Sequence, residues 1–134
     1  MSKGDPVIRL HIPPLGALPP ETVDRTLCQI CRFVKKWFPA HPCNVFTCVS
    51  WLMDPQLEAL LPDSNICAFS RRFHRMTIKN DGNGVFNFIF NQPDMQFELQ
   101  TLPENTRLEK AIKNHYLKGK AIYGMVGYFT DQIV

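Results

Sequence analysis

The sequence predicts an α+β fold in which helices pack on one twisted sheet of mixed or antiparallel strands. Three observations support this prediction. A long segment carries apolar residues at helical spacing, several shorter segments are rich in β-branched and aromatic residues, and eleven prolines divide the chain into short elements. The predicted order is β-α-β-α-β-β-α-β. The 134 residues are enough for a single domain, residues 1–134, with a core of its own.

The first part of the chain predicts a strand, a helix and a second strand. Residues 7–13 (VIRLHIP) alternate and end at two prolines, which favours an edge strand. A helix begins at Pro20 and ends before Pro39. Its apolar stripe comprises Val23, Leu27, Ile30, Cys31, Val34, Trp37 and Phe38. Residues 45–53 (VFTCVSWLM) are apolar on both faces, which indicates an interior strand.

The middle of the chain predicts a short helix and a hairpin. Asp54 suits an N-cap and Pro55 suits a first helical position, so a short helix follows over QLEALL. The segments ICAFSRRFHRMTIKN (66–80) and GVFNFIFN (84–91) flank DGNG. This combination is typical of two strands joined by a tight turn.

The last part of the chain predicts one more helix and one more strand. Asn105 or Thr106 caps the helix, and Gly119 ends it in the left-handed conformation. Its apolar stripe comprises Leu108, Ala111, Ile112, His115 and Tyr116. A packed, hydrogen-bonded histidine is the favoured interpretation of His115. Residues 121–129 (AIYGMVGYF) predict the final strand, whose glycines indicate a bulge or a close approach of another backbone.

Composition and charge indicate a soluble globular protein of the cytoplasm. The chain is 45% apolar and 20% charged, and its net charge of +3 permits an anionic partner such as a nucleotide cofactor. A nucleic-acid binder would have a stronger basic bias. We expect no membrane partner, because no apolar run is long enough to span a bilayer and the amino terminus lacks the apolar core of a signal peptide. Five cysteines in a reducing compartment lead us to expect free thiols, and their odd number argues further against a closed disulfide framework.

Two short motifs have a structural and a functional interpretation. Cys28 and Cys31 form a CxxC, which occurs in redox pairs and zinc sites, but they lie one turn apart in a predicted helix without a second CxxC. Buried thiols that pack as small apolar side chains are favoured, and no metal site is predicted. Residues 57–61 (LEALL) match the LxxLL pattern of docking helices, although a helix that buries its leucines in its own core gives the same pattern.

The basic residues of the predicted strand 66–80 could bind phosphate groups. They are Arg71, Arg72, His74, Arg75 and Lys79. The favoured alternative is a solvated outer face of the sheet. The phenylalanines of the hairpin could stack on single-stranded nucleic acid, but they are more typical of a core.

The stretch TCVSWLMDP (47–55) contains two candidate nucleophiles, Cys48 and Ser50. Both point to the same face of the predicted strand, and no histidine follows at a spacing that would place a base beside them. The alternative is a buried strand that leads into a helix cap. The phosphate-binding patterns G-x-G-x-x-G and GxxxxGK[ST] are both absent from the sequence.

Four segments together resemble the GNAT-like carboxy-terminal domain of bacterial acyltransferase-domain-containing proteins. They are LHIPPLGAL, the helix end KKWFP, TCVSWLMDPQLEALLPDSNICAFSRRF, and LPENTRLEKAIKNHYLKGK followed by GMVGYF. The resemblance implies a GNAT-like α+β sheet. It also implies transfer of an acyl group from acyl-CoA or acetyl-CoA, as co-substrate, to an amine.

The resemblance also implies a set of site residues. The family pattern falls here on Cys48, Ser50, Trp51, Asp54, Pro55, Ser64, Asn65, Arg71, Arg72 and Phe73. From these we predict Ser50, Asp54, Ser64 and Asn65 as catalytic, and Trp51, Arg71 and Arg72 as donor-binding. Val49 stands where the family commonly has histidine, which removes any acid or base role of that side chain. Ser70 stands where the family commonly has glutamine.

Two further features concern what accompanies this domain. Proteins of the family usually carry an amino-terminal acyltransferase domain before this one, so we expect such a domain, or a second copy of the chain, as partner. The R/Q-x-x-G-x-G/A loop with which GNAT enzymes bind pyrophosphate is absent. The alternatives to acyl transfer are a non-catalytic GNAT-like interaction or oligomerisation domain and, third, a hydrolase that uses Cys48 or Ser50.

Overall fold

The computed structural model describes residues 1–14 and 17–130. Within these residues, four strands form one sheet in the order β1-β2-β4-β3. The strands are β1 (Ile8–Leu10), β2 (Val45–Ser50), β3 (His74–Asp81) and β4 (Tyr123–Thr130). The helices are α1 (Pro20–Trp37), α2 (Leu57–Leu60), α3 (Asn65–Ser70), α4 (Gly84–Phe90) and α5 (Arg107–Leu117), with 3-10 turns at Trp51–Met53 and Leu99–Thr101. The predicted α+β class with a mixed sheet is confirmed.

The strand pairing follows from the register. β1 runs parallel to β2, while β4 pairs antiparallel with both β2 and β3. β2 is therefore an interior strand and β1 an edge strand, as predicted. β3 pairs with β4 through an irregularity between Arg75 and Lys79, and it is exposed along most of its length.

One face of the sheet, which we call the core face, is covered. Phe46 of β2 is fully buried and stacks on Phe129 of β4 with ring centroids 4.9 Å apart. Gly127 lies two residues before Phe129 on β4 and pairs with Cys48, and a Cβ atom there would come within 2.9 Å of both Met53 and Phe73. The absence of a side chain at Gly127 therefore lets the Trp51–Met53 turn pack directly on β4.

The opposite face is much more accessible, and we call it the open face. By register its members are Arg9, Thr47, Val49, Val126 and Tyr128. Arg9 and Val49 are exposed, and the other three side chains are half-buried. The same strands therefore have one covered and one accessible face.

The predicted strand 84–91 is helical, the predicted strand 66–80 is helical at its start and a strand only from His74, and the predicted DGNG hairpin is wrong. Residues 65–70 form α3, because Ser64 accepts a hydrogen bond from Cys67 N–H at 3.2 Å and caps a helix. Residues 84–90 form α4, in which Phe86 packs edge-to-face on Tyr116 at 4.6 Å. Short apolar runs rich in phenylalanine do not distinguish strand from helix, and tertiary packing decides between them.

The predicted helices α1 and α5 are confirmed, with one exception on α1. Val23, Leu27 and Cys31 are buried as the stripe requires, but Trp37 and Phe38 are 60% and 58% exposed. Gly119 has φ +76° and follows α5, as predicted. None of the described helices is both long and apolar enough to cross a membrane.

The expectation of five free thiols is wrong. Cys31 of α1 is joined to Cys43, which lies before β2, with their Cα atoms 5.6 Å apart. Cys28, Cys48 and Cys67 are free. An odd number of cysteines means that at least one thiol is unpaired. It does not exclude one disulfide bond between two cysteines that the fold brings together, and this is why the prediction failed.

Candidate functional site

The parallel pair β1–β2 separates at its carboxyl end. Pairing ends at Leu10 and Cys48, while β2 continues to Ser50. Beyond Leu10 the chain leads into residues 11–14, away from the ladder. In open sheets, ligands bind in the crevice outside the carboxyl ends of parallel strands whose connections diverge. The separation of β1 from β2 is therefore the place to look for a binding site.

A cleft of about 310 Å³ lies at this point, and we call it the β1–β2 cleft. Its walls include Ile12, Val49, Ser50, Trp51, Asp81, Phe88 and Gly124. Ser50 Oγ accepts a hydrogen bond from Leu52 N–H at 3.1 Å, so its own hydrogen can be donated into the cleft. Trp51 is held edge-to-face against Phe88 at 5.3 Å.

A second concavity of about 250 Å³ lies between the end of β1 and α1, and we call it the α1 groove. Its lining is largely apolar and includes Leu10, Ile12, Leu18, Val23, Leu27 and Phe69, with Thr22 and Thr26 as polar members. Ile12 lines both the groove and the β1–β2 cleft. The two concavities therefore flank the point where the strands part.

The start of α1 has fewer backbone donors than most helix starts. Pro19 and Pro20 have no N–H, and the N–H groups of Thr22 and Val23 both donate to Pro19 O at 3.0 Å. Glu21 adds a negative charge in the first turn. An anionic ligand at this helix start would therefore need a side-chain cation.

Arg72 supplies a cation at that position. It donates to Asp24 Oδ1 at 2.7 Å and to Pro20 O at 3.4 Å, so its guanidinium lies at the start of α1. Arg71, its neighbour in sequence, instead makes a two-pronged pair with Glu58 at 3.1 and 2.7 Å, which raises the pKa of Arg71. The predicted basic strand is wrong for these two residues. They follow α3 and point to different partners.

Asp54 is enclosed rather than presented to a cleft. It is 3% exposed, and its oxygens accept hydrogen bonds from Gln56 N–H at 2.9 Å, Gln56 Nε2 at 2.9 Å and Tyr123 N–H at 2.7 Å. These bonds connect the chain after β2 to the first residue of β4. These three hydrogen bonds stabilise the carboxylate of Asp54, since burial of a carboxylate without hydrogen-bond donors is unfavourable.

His115 extends this network. The amide nitrogen of Gln56 donates to Asp54 and to Ala121 O, so the amide oxygen accepts from His115 Nε2 at 3.0 Å. Burial lowers the pKa of His115, and the nearby charge of Lys120 lowers it further. The prediction of a packed, hydrogen-bonded histidine is confirmed.

The remaining predicted site residues lie elsewhere. Ser64 caps α3, and Asn65 is the exposed first residue of that helix. The structure thus brings Ser50 and Trp51 together at the β1–β2 cleft and places Arg72 beside the α1 start. The walls of neither concavity include Asp54, Ser64, Asn65, Arg71 or Arg72.

Cys48 is poorly suited to act as a nucleophile. It is 1% exposed, and burial raises the pKa of its thiol to about 11 against the opposing effect of Arg9. A thiol at neutral pH attacks far more slowly than a thiolate, so the geometry disfavours a cysteine hydrolase. Across residues 1–14 and 17–130, no three histidine, cysteine, aspartate or glutamate side chains gather as metal ligands would.

Sequence reasoning missed several residues of the site. Ile12, Asp81, Phe88 and Gly124 come from four separate segments of the chain, and only the folded sheet brings them together. The glycines of the last strand were the available signal. Gly124 lies against the side chain of Asn80, and any side chain at this position would collide with it.

The fold and the two concavities define a class: an α+β domain with a ligand-sized opening at the carboxyl ends of two parallel strands. A sequence model of the GNAT-like C-terminal domain matches residues 1–129, and the chain belongs to this family. No curated protein matches the sequence.

Solved acyltransferases share this fold. One, in complex with decanoyl-CoA and teicoplanin, is 30% identical with a TM-score of 0.86 over 97% of this chain. Another, in complex with decanoyl-CoA, is 33% identical with a TM-score of 0.85 over 96% of this chain. A third, in complex with CoA and 10C-teicoplanin, is 28% identical with a TM-score of 0.85 over 97%. The present chain spans only 41–42% of the length of these relatives.

Proposed function

We propose that this domain takes part in transfer of an acyl group from an acyl-CoA donor to an amine, and that the donor binds where β1 and β2 separate. The observation that carries the proposal is the end of β1–β2 pairing at Leu10 and Cys48, with a concavity on each side. The solved relatives that hold CoA or decanoyl-CoA support the choice of donor.

The donor has three chemically distinct parts, and the site offers a counterpart to each. The pantetheine arm is extended and carries amide groups, so it can hydrogen-bond to the β2 backbone beyond Cys48, where β1 no longer pairs. The phosphates then lie at the start of α1. There Arg72, which donates one hydrogen bond to Asp24, exchanges this partner for a phosphate group, which a guanidinium can bind through two parallel hydrogen bonds.

The reacting end of the donor lies in the β1–β2 cleft. The acceptor attacks the thioester carbonyl carbon as a neutral amine, a C–N bond forms and the C–S bond breaks. The proton of the attacking nitrogen passes to the leaving thiolate, which departs as the CoA thiol. Ser50 donates its free hydrogen to the carbonyl oxygen, on which negative charge develops. Asp81, a carboxylate in the cleft wall, attracts the acceptor in its ammonium form, which loses one proton to water before its nitrogen attacks.

The other predicted residues support this arrangement from outside the cleft. Trp51 forms part of the cleft wall. Asp54 fixes the start of β4 relative to the turn after β2, and Ser64 and Asn65 begin the helix that precedes Arg72.

We place the reaction in the cytoplasm, as the sequence indicated. The disulfide bond between Cys31 and Cys43 argues against that location, because disulfide bonds are rare in the cytosol. Counting the free thiols of protein that is alkylated as it is extracted from cells tests this: five free thiols are expected in the cytoplasm and three if the bond is formed.

Titration calorimetry with decanoyl-CoA and acetyl-CoA tests donor binding. Arg72→Ala should weaken binding about tenfold or more, because one charge-assisted contact contributes about 1.5–3 kcal/mol. Arg71→Ala is the matched control and should leave the affinity within about twofold, since its guanidinium pairs with Glu58 away from both concavities. An absence of heat at millimolar donor would overturn autonomous binding. Equal losses in the two variants would overturn the phosphate position.

A non-catalytic interaction domain is the second candidate. Two observations favour it: Val49 replaces the histidine common in the family, and the start of α1 lacks backbone donors. This candidate predicts that the chain binds no donor under any condition, including in the presence of a partner domain.

A further inference from the structure

We infer that the carboxyl end of α1 binds the surface of a membrane that contains anionic lipids. The contact is made by three exposed aromatic side chains and by the basic side chains beside them. This role goes beyond the proposed function and does not depend on it.

The first argument is the exposure of three large aromatic side chains in one place. Phe33, Trp37 and Phe38 are 56%, 60% and 58% exposed. Phe33 and Trp37 are four residues apart and therefore lie on the same side of α1. The ring centroids of Phe33 and Phe38 are 6.1 Å apart. We call these three residues the aromatic end of α1. Single exposed apolar side chains are common, but a contiguous group of this size marks a contact surface.

The second argument is the fixed shape of the aromatic end. Phe38 N–H donates to Val34 O at 2.7 Å, and His41 N–H donates to Phe38 O at 2.9 Å. Pro39 and Pro42 restrict the backbone of the turn that follows the helix. The rings are therefore held in place before binding, which lowers the entropy lost when a partner is bound.

The third argument is the charge around the rings. The sequence contains no aspartate or glutamate between Asp24 and Asp54. The basic residues in this interval are all exposed: Arg25, Arg32, Lys35 and Lys36. Four basic residues and no acidic residue give the interval a charge of +4. Lys36 Nζ lies 4.9 Å from the centre of the Trp37 ring, so the cation and the ring are presented together.

This combination favours an anionic lipid surface. Helices that lie on a membrane place tryptophan and phenylalanine at the boundary between headgroups and acyl chains, while lysine and arginine reach the lipid phosphates. Protein interfaces are depleted in lysine, and a nucleic-acid surface would be more basic than a chain of net charge +3. We therefore assign the occupant as anionic lipid.

Binding to a surface differs from spanning a bilayer. The expectation of no membrane partner rested on the lack of a long apolar run and of a signal peptide, and a helix that lies on the surface needs neither. The sequence also placed Trp37 and Phe38 in the buried stripe of α1, so the aromatic end could not be identified before the fold was known.

Flotation with lipid vesicles tests the inference. The chain is mixed with vesicles of phosphatidylcholine alone, or of phosphatidylcholine with about one third phosphatidylserine, and the bound fraction is measured. Binding should be at least about tenfold stronger to the anionic vesicles. The fluorescence emission of Trp37 should shift to shorter wavelength on binding, while buried Trp51 does not respond. This comparison uses the unmodified chain, so it does not depend on whether a variant folds.

Two pairs of variants locate the contact. Trp37→Ser should weaken binding to the anionic vesicles about tenfold. Ile78→Ser is the matched control, because Ile78 lies on β3 and is 58% exposed, and it should leave binding unchanged.

The second pair changes charge. Lys35→Gln together with Lys36→Gln should weaken binding to the anionic vesicles about tenfold and should have little effect on neutral ones. Lys110→Gln together with Lys118→Gln makes the same change in net charge at exposed positions of α5 and the turn after it, and should change binding less than about twofold.

Four outcomes would overturn the inference. They are equal binding to the two kinds of vesicle, an unshifted Trp37 emission, and losses in the control variants as large as those in the test variants. The fourth is tighter binding of Trp37 to a single-stranded oligonucleotide than to anionic vesicles, or a dimer in sedimentation that Trp37→Ser dissociates. These last results would assign the aromatic end to a nucleic acid or to a second copy of the chain.

Discussion

Phe46 and Thr47 are neighbours in β2, yet their side chains lie on opposite faces of the sheet in different surroundings. Phe46 is fully buried and stacked on Phe129, whereas Thr47 is half-buried beside Tyr128. The sequence VFTCVS is almost as apolar on one face as on the other, which is why it indicated an interior strand. The comparison shows that a strand with two apolar faces in its sequence is not necessarily covered by the chain on both of them.

Truncation of each neighbour gives the largest expected difference. Phe46→Ala should lower the free energy of unfolding by about 3–5 kcal/mol, because it leaves a cavity in the buried core beside Phe129. Thr47→Ala should cost less than about 1 kcal/mol. Urea denaturation followed by circular dichroism measures both. Similar losses for the two variants would mean that the open face is as well packed as the core face.

The connection between Cys31 and Cys43 holds α1 against the core face, and its loss should have the next largest effect. Cys43→Ser should lower the free energy of unfolding by about 2–4 kcal/mol, because the twelve-residue separation is no longer constrained in the unfolded chain. Cys28→Ser, on the same helix, is the control and should change little. If a reducing agent leaves the wild-type transition unchanged, the two thiols are not joined in solution.

Asp54 contributes through buried hydrogen bonds at the end of the sheet. Asp54→Ala leaves the N–H groups of Gln56 and Tyr123 without their acceptor, and should cost about 2–3 kcal/mol. Ser64→Ala removes a single helix cap near the surface and should cost about 1 kcal/mol. Both are measured by the same urea transition. The reverse order would show that Asp54 is under strain, as expected of a residue kept for function rather than for stability.

The sequence predicted the parts of this molecule that depend on local chemistry. α1, β1, β2 and β4 were expected close to their observed bounds, and so was the stop at Gly119, because periodicity, prolines and a glycine cap act over a few residues. It failed for α3 and α4. There the same aromatic residues suit either element, and the contacts of Phe86 with Tyr116 and Phe97 lie far away in sequence.

The candidate site divides in the same way. The resemblance located Ser50 and Trp51, which lie next to each other in the chain and reach the cleft together. It could not locate Asp81 or Gly124, because these residues become part of the cleft wall only when β3 pairs with β4. Nor could it distinguish Arg71 from Arg72. The two are adjacent in the turn after α3, and only the positions of Glu58 and Asp24 decide which guanidinium reaches the start of α1.

The smallest expected effect concerns the pH dependence of stability. Burial lowers the pKa of His115 in the folded state below its unfolded value of about 6.5. The folded protein therefore binds fewer protons than the unfolded chain as pH falls through this range. Stability contributed by the neutral imidazole is present above about pH 6.5 and is lost as the pH falls below it, with a slope of at most about 1.4 kcal/mol per pH unit.

The variant His115→Gln isolates this contribution, because glutamine can still donate to Gln56 but does not titrate. Urea transitions between pH 5.5 and 7.5 should be flatter for His115→Gln than for the wild type, and unchanged in slope for the exposed control His74→Gln. A flatter slope in His74→Gln than in the wild type would place the proton-linked group on β3, beside the open face. An equal slope in all three proteins would mean that the Asp54–Gln56–His115 network relaxes enough to admit the charged ring. The buried end of the sheet would then be less rigid than its hydrogen bonds indicate.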